Sequence, residues 1–170
     1  MKEETLLSLD RKRYGNGRMP LWQFCWRKSQ IESCGFIRKI YQILAKVLKR
    51  IDGIEISDQA EIGPGVYFGH PFAISINPRV KLGRNINIHK GVTIGQENRG
   101  PRKGVPTIGD DVWMGINCAI VGNITVGNDV LIAPGSFVNK DIPSHSVVVG
   151  NPCQIHHKDQ ATEGYINCRI

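Results

Sequence analysis

Five histidines are the residues of this chain best suited to move a proton near neutral pH, because the unperturbed pKa of an imidazole lies at about 6.5. An imidazole that a carboxylate orients can remove the proton of a hydroxyl group while that group attacks an electrophile. Residue type alone does not choose among the five, so the choice depends on the elements that position them. They are His70, His89, His145, His156 and His157.

The cysteines suit neither a disulfide framework nor a zinc site. They form no CxxC pair and their number is odd, and Cys118 falls at an inward position of the repeat described below. Without metal-ligand spacing, this pattern is typical of free thiols in a reducing cytoplasm. We therefore expect a cytoplasmic protein that holds no metal. The cysteines are Cys25, Cys34, Cys118, Cys153 and Cys168.

An apolar residue returns every six positions over most of the chain. A second apolar or small residue follows most of these anchors by four positions, and a glycine often follows directly. A short fixed repeat indicates stacked units that bury their apolar faces on their neighbours. We therefore predict an all-β fold in which three hexapeptides form each triangular coil of a parallel β-helix. The anchors are Ile56, Ile62, Phe68, Ile74, then after a two-residue slip Ile76, Leu82, Ile88, Ile94, and after an interruption Ile108, Met114, Ile120, Val126, Ile132 and Val138.

The interruption is a polar segment, rich in glycine and proline, from Gln96 to Thr107. An excursion from a regular solenoid costs little stability, and it places polar groups beside a rigid wall. We expect this loop to line a site.

The net charge of +7 is concentrated in the N-terminal third of the chain. Eleven Lys or Arg lie between Asp10 and Arg50, where the acidic residues are Asp10 and Glu32. Apolar residues at helical spacing predict a helix over residues 33–51, and residues 1–32 are expected to be irregular or to contain a short helix. The apolar stripe consists of Ile37, Ile40, Leu44, Val47, Leu48 and Ile51.

Three interpretations of this basic helix are open. We expect its apolar stripe to pack on the open end of the coil stack, which must be covered. The helix could instead lie on an anionic membrane surface, with Trp22, Phe24 and Trp26 as anchors. Nucleic-acid binding lacks a recognised motif, so no nucleic-acid partner is expected.

The chain divides into three parts. We assign residues 1–53 to the basic, partly helical segment, residues 54–155 to the coil domain and residues 156–170 to a tail. No run of about 18 apolar residues is present that would cross a bilayer. The first ten residues lack the apolar core of a secretory signal.

Two segments of the coil domain carry a resemblance to a known family. They are VPTIGDDVWMGINCAIVGNITVG at residues 105–127 and IAPGSFVNKDIPSHSVVVGNP at residues 132–152. The chain resembles the hexapeptide-repeat acyltransferases, and within them the serine acetyltransferases and their polysaccharide-locus relatives, over about residues 54–155. The resemblance implies a left-handed β-helix, a homotrimer with active sites between subunits, and transfer of acetyl from acetyl-CoA to a hydroxyl group.

The resemblance also implies roles for single residues. His70 matches the general base of the family, and Glu55, fifteen positions upstream, matches the carboxylate that orients it. We interpret His89 as a surface or structural residue and His145 as architectural. His156 and His157 are expected to be solvated.

We expect acetyl-CoA, the acetyl donor, to lie in a groove between neighbouring coil stacks, in contact with their backbone atoms. The phosphates of CoA attract cations. Candidates for these contacts are Arg99, Arg102 and Lys103 of the loop, together with two lysines further along the chain. The predicted cofactor-binding residues are Gly115, Ala119, Ala133, Gly135, Lys140 and Lys158.

Departures from the family pattern leave the acceptor open between L-serine and a sugar hydroxyl. Gly69 stands where serine acetyltransferases have Asp before the catalytic His, and Val105 stands where they have a second His. The terminal Ile170 weakly suggests docking to cysteine synthase, which serine acetyltransferases bind through such a residue. Two other classes are considered, a γ-carbonic-anhydrase-like enzyme, which would need paired zinc histidines, and a non-catalytic β-helix scaffold.

Overall fold

The computed structural model describes residues 5–170, in which three helices precede fifteen short strands. The helices are α1 (Leu6–Lys12), α2 (Leu21–Ile31) and α3 (Gly35–Ile51). The strands are β1 (Glu55–Ile56), β2 (Glu61–Ile62), β3 (Tyr67–Gly69), β4 (Ser75–Ile76), β5 (Lys81–Leu82), β6 (Asn87–His89), β7 (Thr93–Gly95), β8 (Thr107–Ile108), β9 (Val112–Met114), β10 (Ala119–Val121), β11 (Thr125–Val126), β12 (Val130–Ile132), β13 (Phe137–Val138), β14 (Ser146–Val149) and β15 (Gln154–His157).

The strands form three parallel sheets that make the sides of a triangular prism. Up to β13 every third strand joins the same sheet, and β14 and β15 then extend the third one. The orders are β1-β4-β7-β10-β13, β2-β5-β8-β11 and β3-β6-β9-β12-β14-β15, and only β15 is antiparallel to its neighbour among the described strands. Anchors stack in register across coils, as Ile88 does on Phe68 and Met114, and they fill the interior. The predicted left-handed parallel β-helix is confirmed.

Two of the prism's edges matter for function, and each is defined by the corner segments that form it. The histidine edge leads from the six-stranded to the five-stranded sheet and consists of residues 70–74, 90–92, 116–118 and 134–136. The tail edge leads from the four-stranded to the six-stranded sheet. It consists of residues 63–66, 83–86, 109–111, 127–129 and 143–145.

Helix α2 covers the open end of the coil stack. Trp22 meets Phe68 edge-to-face, with ring centroids 4.8 Å apart, and Trp26 is fully buried. Arg27 donates hydrogen bonds to the carbonyl groups of Ile62 and Gly63. These carbonyl groups belong to the first coil, which has no preceding coil to pair with. In the alternative interpretation these two tryptophans would anchor a membrane, but their large apolar rings close the core instead.

Helix α3 confirms the helix predicted at residues 33–51, but its orientation differs from the expected one. Most of its apolar stripe faces away from the chain, with exposures from 41% at Ile37 to 72% at Ile51. Ala45 and Lys49 are buried instead, and Lys49 Nζ donates to the carbonyl of Ile56 at 2.5 Å. The expectation that the stripe packs on the coil end is therefore wrong for the single chain, since α2 occupies that position.

The N-terminal prediction falls partly outside the described residues, since residues 1–4 are not described. The described part of this segment, residues 5–32, contains two helices, where at most one short helix was expected. Within residues 5–170, no helix is long and apolar enough to span a bilayer.

The C-terminal tail folds back along the tail edge. The backbone N–H groups of Ala161 and Thr162 donate to the carboxylate of Asp129. Further along, the backbone N–H of Ile170 donates to Asn85 Oδ1 at 3.1 Å. The tail therefore runs from the fourth coil back to the second, and it covers one edge of the six-stranded sheet.

Candidate functional site

His70 lies on an enlarged corner of the first coil. Register pairs Gly69 with His89 and Ser75 with Thr93, so five residues turn this corner where the next coil uses three. The two extra residues account for the two-residue slip from Ile74 to Ile76 in the anchor pattern. His70 has φ of 51°, its side chain is exposed, and it makes no hydrogen bond within residues 5–170. The insertion therefore presents an unengaged imidazole on the histidine edge.

His89 lies directly beside this corner. A Cβ at Gly69 would come within 2.5 Å of the His89 ring, so the imidazole occupies space that only a glycine leaves free. The ring also packs on Trp113, with centroids 4.8 Å apart. Burial lowers the pKa of His89, and the nearby His70 lowers it further. The lowered pKa favours the neutral form of this imidazole, and the packing of the ring fits the structural interpretation of His89 and not the surface one.

The Nε2 atom of His89 is buried and has no hydrogen-bond partner among the described residues. Leaving a buried polar atom unpaired costs about 1–3 kcal/mol. Sequence reasoning missed this residue because the signal, a glycine paired with a histidine of the next coil, exists only once the register is known.

Glu55 lies at the start of β1, near the same corner. It pairs in register with Ser75, the first residue after the corner, and its Oε2 accepts a hydrogen bond from Ser75 Oγ at 3.0 Å. The backbone N–H of Ala73, within the corner, donates to the carbonyl of Asp52 at 2.9 Å. The structure thus brings Glu55 and His70 to one edge, although no hydrogen bond joins them in the single chain.

Four of the predicted donor-binding residues lie on the histidine edge or directly beside it. Gly115 and Ala133 end the ladders of the third and fourth coils, Ala119 begins β10, and Gly135 turns the corner with φ of 70°. A Cβ at Gly115 would lie 2.6 Å from the backbone N of Pro134, so backbones of adjacent coils meet closely here. These glycines and alanines form a strip of surface with small side chains, on the coils above His70. An extended ligand can lie close to the backbone on such a surface.

The cationic candidates lie elsewhere in the single chain. Lys140 follows β13 at the third edge, between the five-stranded and four-stranded sheets, and Lys158 follows β15 beside His145 on the tail edge. The loop at 96–107 leaves the prism at the third edge too, between β7 and β8. The structure therefore does not bring these cations to His70 within one chain.

The other histidines are separate from this site. His145 Nδ1 lies 2.9 Å from Asp129 Oδ2 on the tail edge, as an architectural residue would. His156 and His157 are exposed on β15, as predicted.

Comparison with known proteins decides the family. A family model of the bacterial transferase hexapeptide (six repeats) matches residues 106–140. The serine acetyltransferase of Bacillus pumilus is 36% identical over 121 residues, which are 69% of this chain and 56% of that protein. The serine acetyltransferase of Helicobacter pylori is 33% identical over 121 residues, covering 71% of each chain. The chain belongs to the serine acetyltransferase family.

A solved structure agrees with this membership. Neisseria gonorrhoeae serine acetyltransferase in complex with serine matches with a TM-score of 0.65 at 30% identity, over 78% of this chain and 54% of that chain. The chain thus spans little more than half the length of these two relatives from Bacillus pumilus and Neisseria. Membership of the serine acetyltransferase family favours the acyltransferase interpretation over the carbonic-anhydrase and scaffold interpretations.

Proposed function

We propose that this member of the serine acetyltransferase family transfers an acetyl group from acetyl-CoA to the hydroxyl group of a small molecule, with His70 as general base. The observation that carries the proposal is the enlarged corner at 70–74, which holds an exposed imidazole that makes no hydrogen bond to any of the described residues. An alcohol is a poor nucleophile at neutral pH, so a base must take its proton as it attacks.

The reaction is a displacement at the thioester carbonyl. The acceptor oxygen forms a bond to the acetyl carbon, the carbon–sulfur bond breaks, and the thiolate of CoA leaves. His70 takes the hydroxyl proton during attack and returns it to the departing sulfur. Glu55 then orients the imidazole and stabilises its charged form, provided that its hydrogen bond to Ser75 is exchanged for one to His70.

The donor is assigned to the backbone strip above His70, at Gly115, Ala119, Ala133 and Gly135. The thin pantetheine arm of CoA suits a surface whose side chains are small. One solved serine acetyltransferase with this fold contains CoA. Lys140 and Lys158 would reach the phosphates from a neighbouring copy, because they lie on other edges of the single chain.

L-serine and a sugar hydroxyl are the two candidate acceptors. Serine is favoured by the names of the relatives and by the serine bound in the Neisseria protein. A sugar is favoured by the departures at Gly69 and Val105, since a site built for a zwitterion loses affinity without partners for its charges.

A thiol-release assay with acetyl-CoA tests the proposal. We expect saturable release of CoA that depends on a hydroxyl acceptor, in a panel containing L-serine, nucleotide sugars and oligosaccharides. Mass spectrometry of the acceptor should show an added acetyl group. Release of CoA without acetylation of any acceptor in the panel would contradict the proposal.

The partner predictions stay predictions. A homotrimer would place the third edge of one copy near the histidine edge of another. Peripheral membrane contact would use the exposed stripe of α3 and its cations, since Trp22 and Trp26 are buried. Docking of cysteine synthase through Ile170 would require release of this residue from Asn85.

A further inference from the structure

A cavity of about 350 Å³ opens on the outer face of the six-stranded sheet, and His89 is one of the residues that line it. Three parts of the chain enclose it. The sheet contributes Tyr67, His89 and Trp113, the segment after α1 contributes Tyr14, and the tail contributes Tyr165. The cavity therefore forms only when both chain ends fold onto the coil.

Aromatic rings make its walls. Trp113 and Tyr165 meet nearly edge-to-face, with centroids 5.1 Å apart, and Tyr14 and Tyr67 form a second pair at 4.7 Å. Aromatic faces carry partial negative charge and attract the polarised C–H bonds of a ring-shaped ligand. The walls thus suit a flat, apolar face of a small ring.

His89 supplies the polar contact within these walls. Its Nε2 is the buried atom that finds no partner among the described residues. A neutral imidazole nitrogen donates to, or accepts from, a hydroxyl group according to its tautomer. Arg13, by contrast, is already engaged with Gly65, Asn87 and Asn167.

The charge of the lining discriminates between acceptor classes. None of the residues that line the cavity is Asp or Glu. The ammonium group of an amino acid would therefore find no carboxylate in the cavity, and no ion pair would compensate for the free energy lost when it leaves water. A pyranose ring carries hydroxyl groups and C–H faces, and it needs no charged partner.

We propose that this cavity is the acceptor subsite and that it binds a pyranose ring, stacked between the aromatic walls, with His89 hydrogen-bonded to one ring hydroxyl. His89 lies against Gly69, which directly precedes His70, so the cavity borders the strand that leads to the predicted base. The inference rests on the proposed acetyl transfer and names the class of its acceptor.

Acceptor kinetics and binding test the inference separately. The probes are methyl glycosides of glucose, galactose and N-acetylglucosamine, with L-serine as the charged comparison. Turnover is followed by thiol release, and binding is followed by saturation-transfer NMR on the intact chain without acetyl-CoA. We expect at least one glycoside to bind and to be acetylated with a lower KM than L-serine.

Variants at the cavity should change acceptor use and spare the donor. His89→Phe keeps an aromatic ring but removes the hydrogen bond, so the KM for the glycoside should rise about tenfold while the KM for acetyl-CoA stays constant. Tyr165→Ala should raise the glycoside KM about fivefold, and Tyr165→Phe should not. His157→Phe, on exposed β15, is the matched control and should behave as wild type.

His89→Gln guards against a folding defect, because it retains a hydrogen-bonding group and should recover part of the glycoside affinity. Acetylation of L-serine alone, with a KM unmoved by His89→Phe, would overturn the inference and leave the proposed function intact. Absence of acetyl transfer to any hydroxyl would instead overturn the proposed function. In that case glycoside binding by NMR still decides whether the cavity holds a pyranose ring.

Discussion

The two edges of the six-stranded sheet are built by the same repeat, yet they use their polar residues in opposite ways. On the tail edge, Asn85, Asp111 and Asp129 hold equivalent corner positions with φ of 53–55°. Asn85 accepts from the backbone of Ile170, Asp111 lies 3.6 Å from Arg169, and Asp129 accepts from Thr162. Each of these three side chains binds the chain's own tail.

The histidine edge has no such covering segment among the described residues. His70 is exposed without a hydrogen-bond partner there, and three coils further along the same edge Gly135 leaves its backbone open, with no atom within 4 Å of where a Cβ would stand. Polar groups satisfied by the chain itself stabilise the fold, whereas groups left open can bind a ligand. A coil position alone therefore does not assign function, because the returning tail decides which edge is structural.

The largest effect is expected from His70→Ala. Loss of a general base should reduce kcat on the order of a hundredfold or more. Because the His70 side chain is exposed and makes no hydrogen bond within residues 5–170, the melting temperature should stay within about 1 °C of wild type. Steady-state kinetics and calorimetry measure the two quantities.

The tail-edge histidine provides the matched control for His70. His145→Ala removes the hydrogen bond to Asp129, so it should lower the melting temperature while kcat changes little. If the two substitutions had similar effects on kcat, the contrast between the edges would be lost.

The next effect concerns the stability that Asp129 provides. Burial raises the pKa of this carboxyl, but hydrogen bonds from Thr162, His145 and Ala161 outweigh it and lower the pKa to about 2 from 3.8. A lowered folded-state pKa gives stability that is present above the unfolded value and is lost as pH falls from about 4 to about 2. Asp129→Asn should therefore cost on the order of 1–2 kcal/mol at neutral pH, a drop of about 2–8 °C in Tm.

The pH dependence separates this charge effect from a packing defect. Between about pH 4 and pH 2 the wild type should lose more stability than Asp129→Asn, so the two melting temperatures should converge on acidification. A gap that stays constant over this range would assign the loss to packing. Differential scanning calorimetry at several pH values measures the gap.

The sequence predicts the coil well because each anchor's burial depends on its nearest neighbours in the stack. Ile88 and Met114, for example, are inward at the six-residue period and lie in adjacent coils. The orientation of α3 was not predictable in the same way. Its stripe indicates an apolar face, but the spacing does not reveal that Trp22 of α2 already covers the coil end.

The site was predicted only in part for a related reason. The two-residue slip before Ile76 is visible in the sequence, and its consequence, an outward His70, follows from the register with the next coil. The cavity depends on longer-range packing, since Tyr165 reaches Trp113 only after the tail reverses direction. Such contacts have no local signature.

Glu55→Gln should have an intermediate effect on the histidine edge. Losing the charge that stabilises the imidazolium should lower kcat about tenfold, while the KM values for both substrates stay nearly constant. Glu61→Gln is the matched control, because Glu61 begins β2 on another sheet and pairs with exposed Lys81. Equal kcat values for Glu55→Gln and wild type would leave Glu55 as a partner of Ser75 alone.

The smallest effect is expected at Lys140 and Lys158, which lie off the histidine edge in the single chain. An exposed ion pair contributes about 0.2–1 kcal/mol, so replacing either lysine with alanine should raise the KM for acetyl-CoA no more than about fivefold. Because only a neighbouring copy can bring these lysines to the donor strip, any rise should weaken at high ionic strength and be absent for Lys81→Ala. If the KM for acetyl-CoA were unchanged in both variants, the phosphate contacts would be assigned to the loop cations Arg99 and Arg102 instead.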